Sequence, residues 1–296
     1  MLDPSVVGVG PDTAFETRGG LMVLREAQRI GLTDAQRDLF ERDGYLVVED
    51  ALDAGLVSRL TDAVDRVWAA HRDTPPVAGA DPLHLLAFVG RDPRFLELLD
   101  HEPILRLVVD LLGWNVFMHH CHLDVHPPMR GPSPRTWMWH QDGGIQNHDL
   151  ETHPRPRMSV KVAYFLTDVG EPGRGNFSVI PGSHLRDTID RPSNDDNDLA
   201  DAVPVLARPG TAVLFDRRLW HMRGENRSSI TRKALFYAYT FRWVRARDDI
   251  RIPPELFSTV TPVRAQLLGA DSSAIGHWMP EDEDVPLRGW WEAPRD

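Results

Sequence analysis

A single cysteine, Cys121, stands among 296 residues, so no intrachain disulfide framework holds this chain together. No apolar run approaches the ~20 residues that a membrane-spanning helix needs, and the start has no basic-led apolar leader of the signal-peptide kind. Positive charge is in deficit, with 33 Lys and Arg against 44 Asp and Glu and a formal charge of -11. That balance opposes non-specific attraction to nucleic acid or anionic lipid, and neither is an expected partner. Internal repeats and low-complexity tracts are missing too. The expectation is a cytoplasmic protein, monomer or homodimer, long enough to bury a sizeable core as one domain.

Within residues 1–296 the texture changes three times. Residues 1–30 hold Gly8, Gly10, Pro11, Gly19 and Gly20 with little periodicity and read as an N-terminal arm. Residues 31–114 read as a mainly helical flank. Thr33-Asp34-Ala35-Gln36 has the form of a capping box, Asp43-Gly44 stops that helix, and Val57, Leu60, Val64 and Val67 recur at helical spacing. Pro75 to Asp81 is a loop, and the passage from Phe95 to Leu112 reads as two short helices broken at Glu102-Pro103. From 115 to 247 the chain turns to short β-prone runs bounded by Gly or Pro: 116–126, 158–166, 176–180, 203–206, 211–215 and 234–243. Many short strands without intervening helices predict a sandwich or barrel, mainly β with flanking helices. Residues 248–296, rich in Pro and acids with Trp278, Trp290 and Trp291, read as a tail wrapped over that core or set at a subunit contact.

The chemistry gathers at Trp137-Met138-Trp139-His140-Gln141-Asp142-Gly143-Gly144. Side chains at i and i+2 of a strand leave on one face, so His140 and Asp142 can converge on a metal. A turn, an apolar run and a short strand deliver His221, 81 positions further on, as a third ligand. Two histidines and a carboxylate with open positions describe the facial triad of non-haem Fe(II) oxygenases. Arg232, eleven residues after His221, suits bidentate capture of a co-substrate carboxylate. Singly, each residue is equally a core histidine, a turn aspartate or a surface arginine; the combination carries the reading.

This set, with Asn226 and Ser228 in the turn, resembles the phytanoyl-CoA dioxygenase-like family of Fe(II)- and 2-oxoglutarate-dependent oxygenases. Asp43-Gly44-Tyr45-Leu46-Val47-Val48 and the run from Gly175 to His184 look like the same family, so the likeness spans roughly 31–245. The resemblance implies a double-stranded β-helix, a jelly-roll variety. It also implies Fe(II) held by His140, Asp142 and His221, 2-oxoglutarate anchored by Arg232 and consumed with O2, and oxidation of an unactivated C–H in a small molecule. Family members that halogenate leave the carboxylate position empty, whereas Asp142 is present, which favours hydroxylation or a related oxidation. Other outcomes consistent with the resemblance are acyl-CoA hydroxylation and a metal- and 2-oxoglutarate-binding barrel without catalysis. Arg223 departs from the small residue frequent two positions after the second histidine.

Several neighbours carry subsidiary expectations. Alternation sets His120, His122, Asp124 and His126 on one strand face and His119 and Cys121 on the other, so His120 and His122 are candidates to line the co-substrate pocket. Asp124 there is an unfavourable neighbour for an anion unless it pairs with a cation. Ser228 and Thr231 are candidate hydroxyl contacts to the co-substrate. Of Trp137 and Trp139, one walls the cavity and the other is core; Trp137 is carried as a substrate candidate. Lys161 either snorkels at an edge or points inward at a ligand. The insert from Ile145 to Arg157 has the length of a lid, and Arg155 and Arg157, two apart with His153, form a fork suited to a substrate carboxylate or phosphate.

Overall fold

The structure, a computed structural model, describes residues 15–18, 21–24, 31–72, 82–129, 131, 136–270 and 273–293. Eleven strands are present among the described residues: β1 Phe15–Arg18, β2 Leu21–Leu24, β3 Tyr45–Val48, β4 Leu83–Leu86, β5 Val116–His126, β6 Ser159–Phe165, β7 Phe177–Val179, β8 Val203–Pro204, β9 Ala212–Asp216, β10 His221–Arg223 and β11 Arg232–Phe241. They form an eight-stranded sheet in the order β1-β2-β3-β9-β6-β11-β5-β4 and a three-stranded sheet in the order β10-β7-β8. All pairings are antiparallel except β2 with β3. The architecture is mainly β with flanking helices, its two sheets facing each other without closing into one hydrogen-bonded ring among the described residues.

Period-two alternation divides the large sheet into two faces. One face carries Cys121, Leu123 and Val125 of β5, Val160, Val162 and Tyr164 of β6, and Leu235, Tyr237 and Tyr239 of β11, all packed with the helices. The helix Ala54–Arg72 meets it with Leu56, Leu60, Ala63, Val64 and Val67, a stripe at helical spacing, each large aliphatic side chain contributing about 1.5–3 kcal/mol on full burial. The helix Glu102–Leu112 adds Ile104, Leu105, Val108 and Leu111. Tyr237 and Tyr239 satisfy their buried hydroxyls on the carbonyls of Phe95 and Leu99, which joins sheet to helices by polar contacts as well. The opposite face meets the small sheet over Val47, Ala163, Phe165, Phe177, Val179, Val213, Phe215 and Phe236.

The punctuation read from the sequence is present. Thr33 caps the helix Asp34–Asp43 in a capping box with Gln36, and Gly44 ends it at φ 83°, its N–H donating to the Phe40 carbonyl. The helical passage breaks into Pro93–Leu96 and Glu102–Leu112. The arm differs: residues 1–14 lie outside the described residues, but β2 pairs along β3 and extends the sheet, because an apolar run beside an unpaired strand edge satisfies its backbone there. The loop predicted for 75–81 also lies outside the described residues. In the tail, Leu267 and Leu287 join the core while Gln266 donates to the carbonyls of Trp114 and Val116; Trp290 and Trp291 pack against that core and Trp278 stays exposed. No helix among the described residues is long and apolar enough to cross a membrane.

Alternation also fails at one place. Ala238 pairs with His120 but Tyr239 pairs with Met118, so His119 is the extra residue of a β-bulge. The prediction that His119 shares the face of Cys121 is therefore corrected: the bulge re-aims His119, which lines the same cavity as His120 and His122.

A polar hub closes the end of β9. Asp216 is fully buried and accepts from Arg218 Nε (2.9 Å) and Nη2 (2.7 Å) and from Arg157 Nε (2.7 Å), while Arg157 continues to Glu41. Burial works against its charge, but the hydrogen bond and charge of Arg218, then Arg157, hold its pKa below the carboxylate range. Asp216→Asn keeps the shape and removes the charge that two arginines share. We expect it to cost about 3–5 kcal/mol in urea unfolding, the scale for breaking a buried pair; a loss below about 1 kcal/mol, as for exposed pairs, would show the hub to be dispensable.

Candidate active site

His140 lies outside the named strands but forms a β-bridge with His221 at the head of β10, each N–H donating to the other's carbonyl at 3.0 Å. Asp142 then turns off, its N–H held by the Arg217 carbonyl at 2.9 Å. One ligand atom from each of His140, Asp142 and His221 can be chosen so that all lie within 4.8 Å of one another. Each histidine is oriented from behind. Nδ1 of His140 contacts the Met138 carbonyl and Nδ1 of His221 the Leu219 carbonyl, both at 2.8 Å; Nδ1–H is therefore the donor and the Nε2 lone pair is left for a metal. Burial, then the neighbouring His140, pushes His221 down to about 3, so it is neutral near pH 7, the form that binds metal.

Lys161 resolves its alternatives by pointing inward. Its Nζ is 2.7 Å from Asp142 Oδ2, and its side chain is almost wholly buried. Burial favours a protonated Asp142, but the charge and hydrogen bond of Lys161 overcome it and hold the carboxylate ionised.

A cavity of about 750 Å³ opens between the sheets. Its walls include the three candidate ligands, Lys161, Phe177, Phe215, Phe236, His120, His122, Asp124, Arg223 and Arg232. Arg232 is 1 % exposed; Nη1 makes one long contact of 3.4 Å to Asp124 Oδ2 and Nε has no partner. Asp124 meets the condition set by its position, since it pairs with His84 (2.6 Å), Arg232 and Arg223 (3.5 Å). Against the cost of burial, the hydrogen bond to His84 and the charges of Arg232 and Arg223 hold it ionised. His122 stacks on Phe236 with ring centroids 4.2 Å apart and contacts His120, which reaches Asp248 at 2.7 Å. Burial lowers the pKa of both His120 and His122.

Other expectations fail on geometry. Ser228 is spent on its own turn, donating to Asn226 Oδ1, and does not line the cavity. Trp137 sits under the Arg191 guanidinium and Trp139 is core, bonded to the Asn197 carbonyl, so neither walls the cavity; Met138 does. The arginine fork is corrected as well. Arg157 is tied to Glu41 and Asp216, while Arg155 and His153 share Asp187, because nearby carboxylates satisfy these cations within the fold. Of the insert only Ile145 and Gln146 reach the cavity, beside Gly143 and Gly144 that precede it. Two residues were missed. His84 comes from β4, opposite Asp124, in a strand that composition does not reveal. Arg217 was legible, since continuing the alternation of Val213 and Phe215 puts it on the inner face.

The family model "Phytanoyl-CoA dioxygenase (PhyH)" matches residues 40–234. An uncharacterized protein of Mycobacterium tuberculosis is 28% identical over 274 residues, 86% of this chain and 95% of that one. An ectoine dioxygenase of Sphingopyxis alaskensis is 27% identical over 69% of this chain and 74% of its own. The solved structure of that organism's EctD with 2-oxoglutarate and 5-hydroxyectoine covers 76% of this chain and 83% of its own, with a TM-score of 0.58 and 25% identity. A non-haem α-ketoglutarate-dependent carbocyclase, SnoK, shares the fold at a TM-score of 0.53 and 23% identity, over 71% of this chain and 84% of its own. With more than half of its length matched, the chain belongs to the phytanoyl-CoA dioxygenase family of oxygenases.

Proposed function

We propose that this protein is an Fe(II)- and 2-oxoglutarate-dependent dioxygenase that hydroxylates, or otherwise oxidises, an unactivated C–H of a small molecule, with His140, Asp142 and His221 holding the metal and Arg232 the co-substrate. The observation that carries the reading is the convergence of two backbone-oriented Nε2 atoms and one ionised carboxylate beside a buried, under-partnered arginine. The relatives reported above, an ectoine dioxygenase among them, support it. When bound, Fe(II) with 2-oxoglutarate supplies O2-dependent oxidation of the substrate.

The chain's own residues hold, orient and enclose. His140 and His221 are held by backbone carbonyls with Nε2 free, so no ring rotation is needed when the metal arrives. Lys161 keeps Asp142 ionised before loading, at the cost of a contact that metal binding must weaken. Arg232, with its unmet Nε and its single long bond to Asp124, has donors to spare for the far carboxylate of 2-oxoglutarate. His122 and Phe236, stacked, form a flat wall beside it. Phe177 and Phe215 pack against the His221 ring and exclude water from that side. The packing of Leu267 and Leu287 into the main core supports reading the chain as one oxygenase unit.

Iron-loaded protein given 2-oxoglutarate and O2 is expected to form succinate, faster once a substrate is found among amino acids, acyl-CoAs and terpenoid or polyketide acids. His140→Ala, Asp142→Ala and His221→Ala should each abolish Fe(II) binding, read by metal analysis after anaerobic gel filtration. Full occupancy in any one of them removes that residue from the ligand set. Arg232→Ala should weaken 2-oxoglutarate binding by about 2–5 kcal/mol, the scale for truncating one partner of a buried charge pair. Arg232→Lys should also bind it poorly, because a point ammonium does not reproduce a two-pronged contact. Affinity within about twofold of wild type in both variants, against the tenfold that 1.4 kcal/mol represents, would move the anchor to Arg223.

A further inference from the structure

We propose that Arg217 binds an anionic group, a carboxylate or a phosphate, on the molecule that is oxidised. The inference rests on the oxygenase reading above and adds the chemical class of the substrate.

Arg217 is 1 % exposed, yet its Nε and Nη2 have no hydrogen-bond partner and its Nη1 makes one contact of 3.3 Å, to Gln146 Oε1. The carboxylate next to it in sequence is not available, since Asp216 is committed to Arg157 and Arg218. Burial pulls the Arg217 pKa down. An unpaired buried charge costs several kcal/mol, and a protein that retains one ordinarily does so for a ligand. Of the other inward cations on the cavity wall, Lys161 is paired with Asp142, and Arg232, already assigned to the co-substrate, keeps one contact to Asp124.

Its placement fits that role. Arg217 lines the cavity with Asp142, Gly143, Gly144 and Gln146, and its carbonyl fixes the Asp142 N–H. Gly143, at φ 118°, leaves open the space that a Cβ would contest with Arg217 Nη1. The charged groups that act on Arg217 are Asp216, Arg218, Asp142 and Arg155, whereas those that act on Arg232 are Asp124 and Arg223. The two arginines therefore stand at different poles, one beside the candidate metal ligand Asp142 and one at the co-substrate end. The cavity wall holds six Lys or Arg side chains (Lys161, Arg217, Arg223, Arg232, Arg245 and Arg247) against Asp124 and Asp142; with Asp248, which lies 3.9 Å from Arg247, counted as well, three positive charges are in excess among the Lys, Arg and Asp side chains. Fe(II) and doubly charged 2-oxoglutarate cancel each other and leave that excess in place, so a further anion is favoured. Met138 and Ile145, both exposed at the rim, offer apolar contact to the rest of such a molecule.

The test uses anaerobic protein loaded with Fe(II) and 2-oxoglutarate, titrated calorimetrically with benzoate, phenyl phosphate and neutral benzamide. At least one anion should bind more tightly than benzamide and lose about tenfold or more in Arg217→Gln, the scale of one lost charge-assisted hydrogen bond. Benzamide binding should not change. A response to benzoate alone assigns a carboxylate, to phenyl phosphate alone a phosphate, and to both an anion site without that preference. Without ligand, Arg217→Gln should melt at or above the wild-type temperature, because it removes an unpaired buried charge; a clearly lower Tm would make Arg217 a structural residue and overturn the proposal. Anions that bind no better than benzamide, or equally well to both proteins, overturn it too. Wild-type protein that fails to bind 2-oxoglutarate at the loading step would instead sink the oxygenase reading, which separates the two failures.

Discussion

Two backbone hydrogen bonds between His140 and His221 are the interaction on which the rest of the site depends. They bring together residues 81 positions apart and add one rung to the small sheet, beyond β10. Once that rung is made, the pleat decides the side-chain directions, and the carbonyls two residues back decide the tautomers. Asp142 is placed from the same rung through the Arg217 carbonyl, so the three candidate ligands are fixed by main-chain contacts that side-chain substitution does not directly remove. A site held this way is preorganised.

The second constraint is electrostatic. An inward face that carries Lys161, Arg232, Asp124 and Asp142 needs each charge answered at close range, because unpaired charges between two packed sheets are costly. The chain answers them in two groups. Lys161 pairs with Asp142 at the candidate metal end, and Asp124 gathers His84, Arg223 and Arg232 at the candidate co-substrate end, where two guanidiniums share one carboxylate. Between and behind them the apolar cluster of Phe165, Phe177, Phe215 and Phe236 keeps the surroundings dry. Arg217 has no carboxylate contact in this scheme, and the buried hub at Asp216 explains why: its negative charge is already divided between Arg157 and Arg218.

Where expectation and structure part, the reason is competition for partners or a break in period. Arg155 and Arg157 have the spacing of an anion fork, but spacing says nothing about Glu41, Asp187 and Asp216, which arrive from distant segments and satisfy both. Ser228 was available to a ligand only if its own turn did not use it, and Asn226 is nearer. His119 was assigned by strict alternation, which a one-residue bulge against Ala238 and Tyr239 cancels.

The sequence by itself determined most of the core elements and the candidate ligand set: a capping box and a glycine stop bound the first helix, alternating runs marked the core strands, and His140, Asp142, His221 and Arg232 at family spacing marked the candidate chemistry. Those features are local, set by backbone propensity and by side-chain period, and they survive without knowledge of neighbours. Only the tertiary structure decided which charges are spent and which are free. It turned Lys161 inward onto Asp142, locked Arg157 to Glu41 and Asp216, brought His84 across to Asp124 and left Arg217 buried beside the candidate metal ligands. The pairing of a buried charge depends on residues far apart in the chain, and no local pattern encodes that distance.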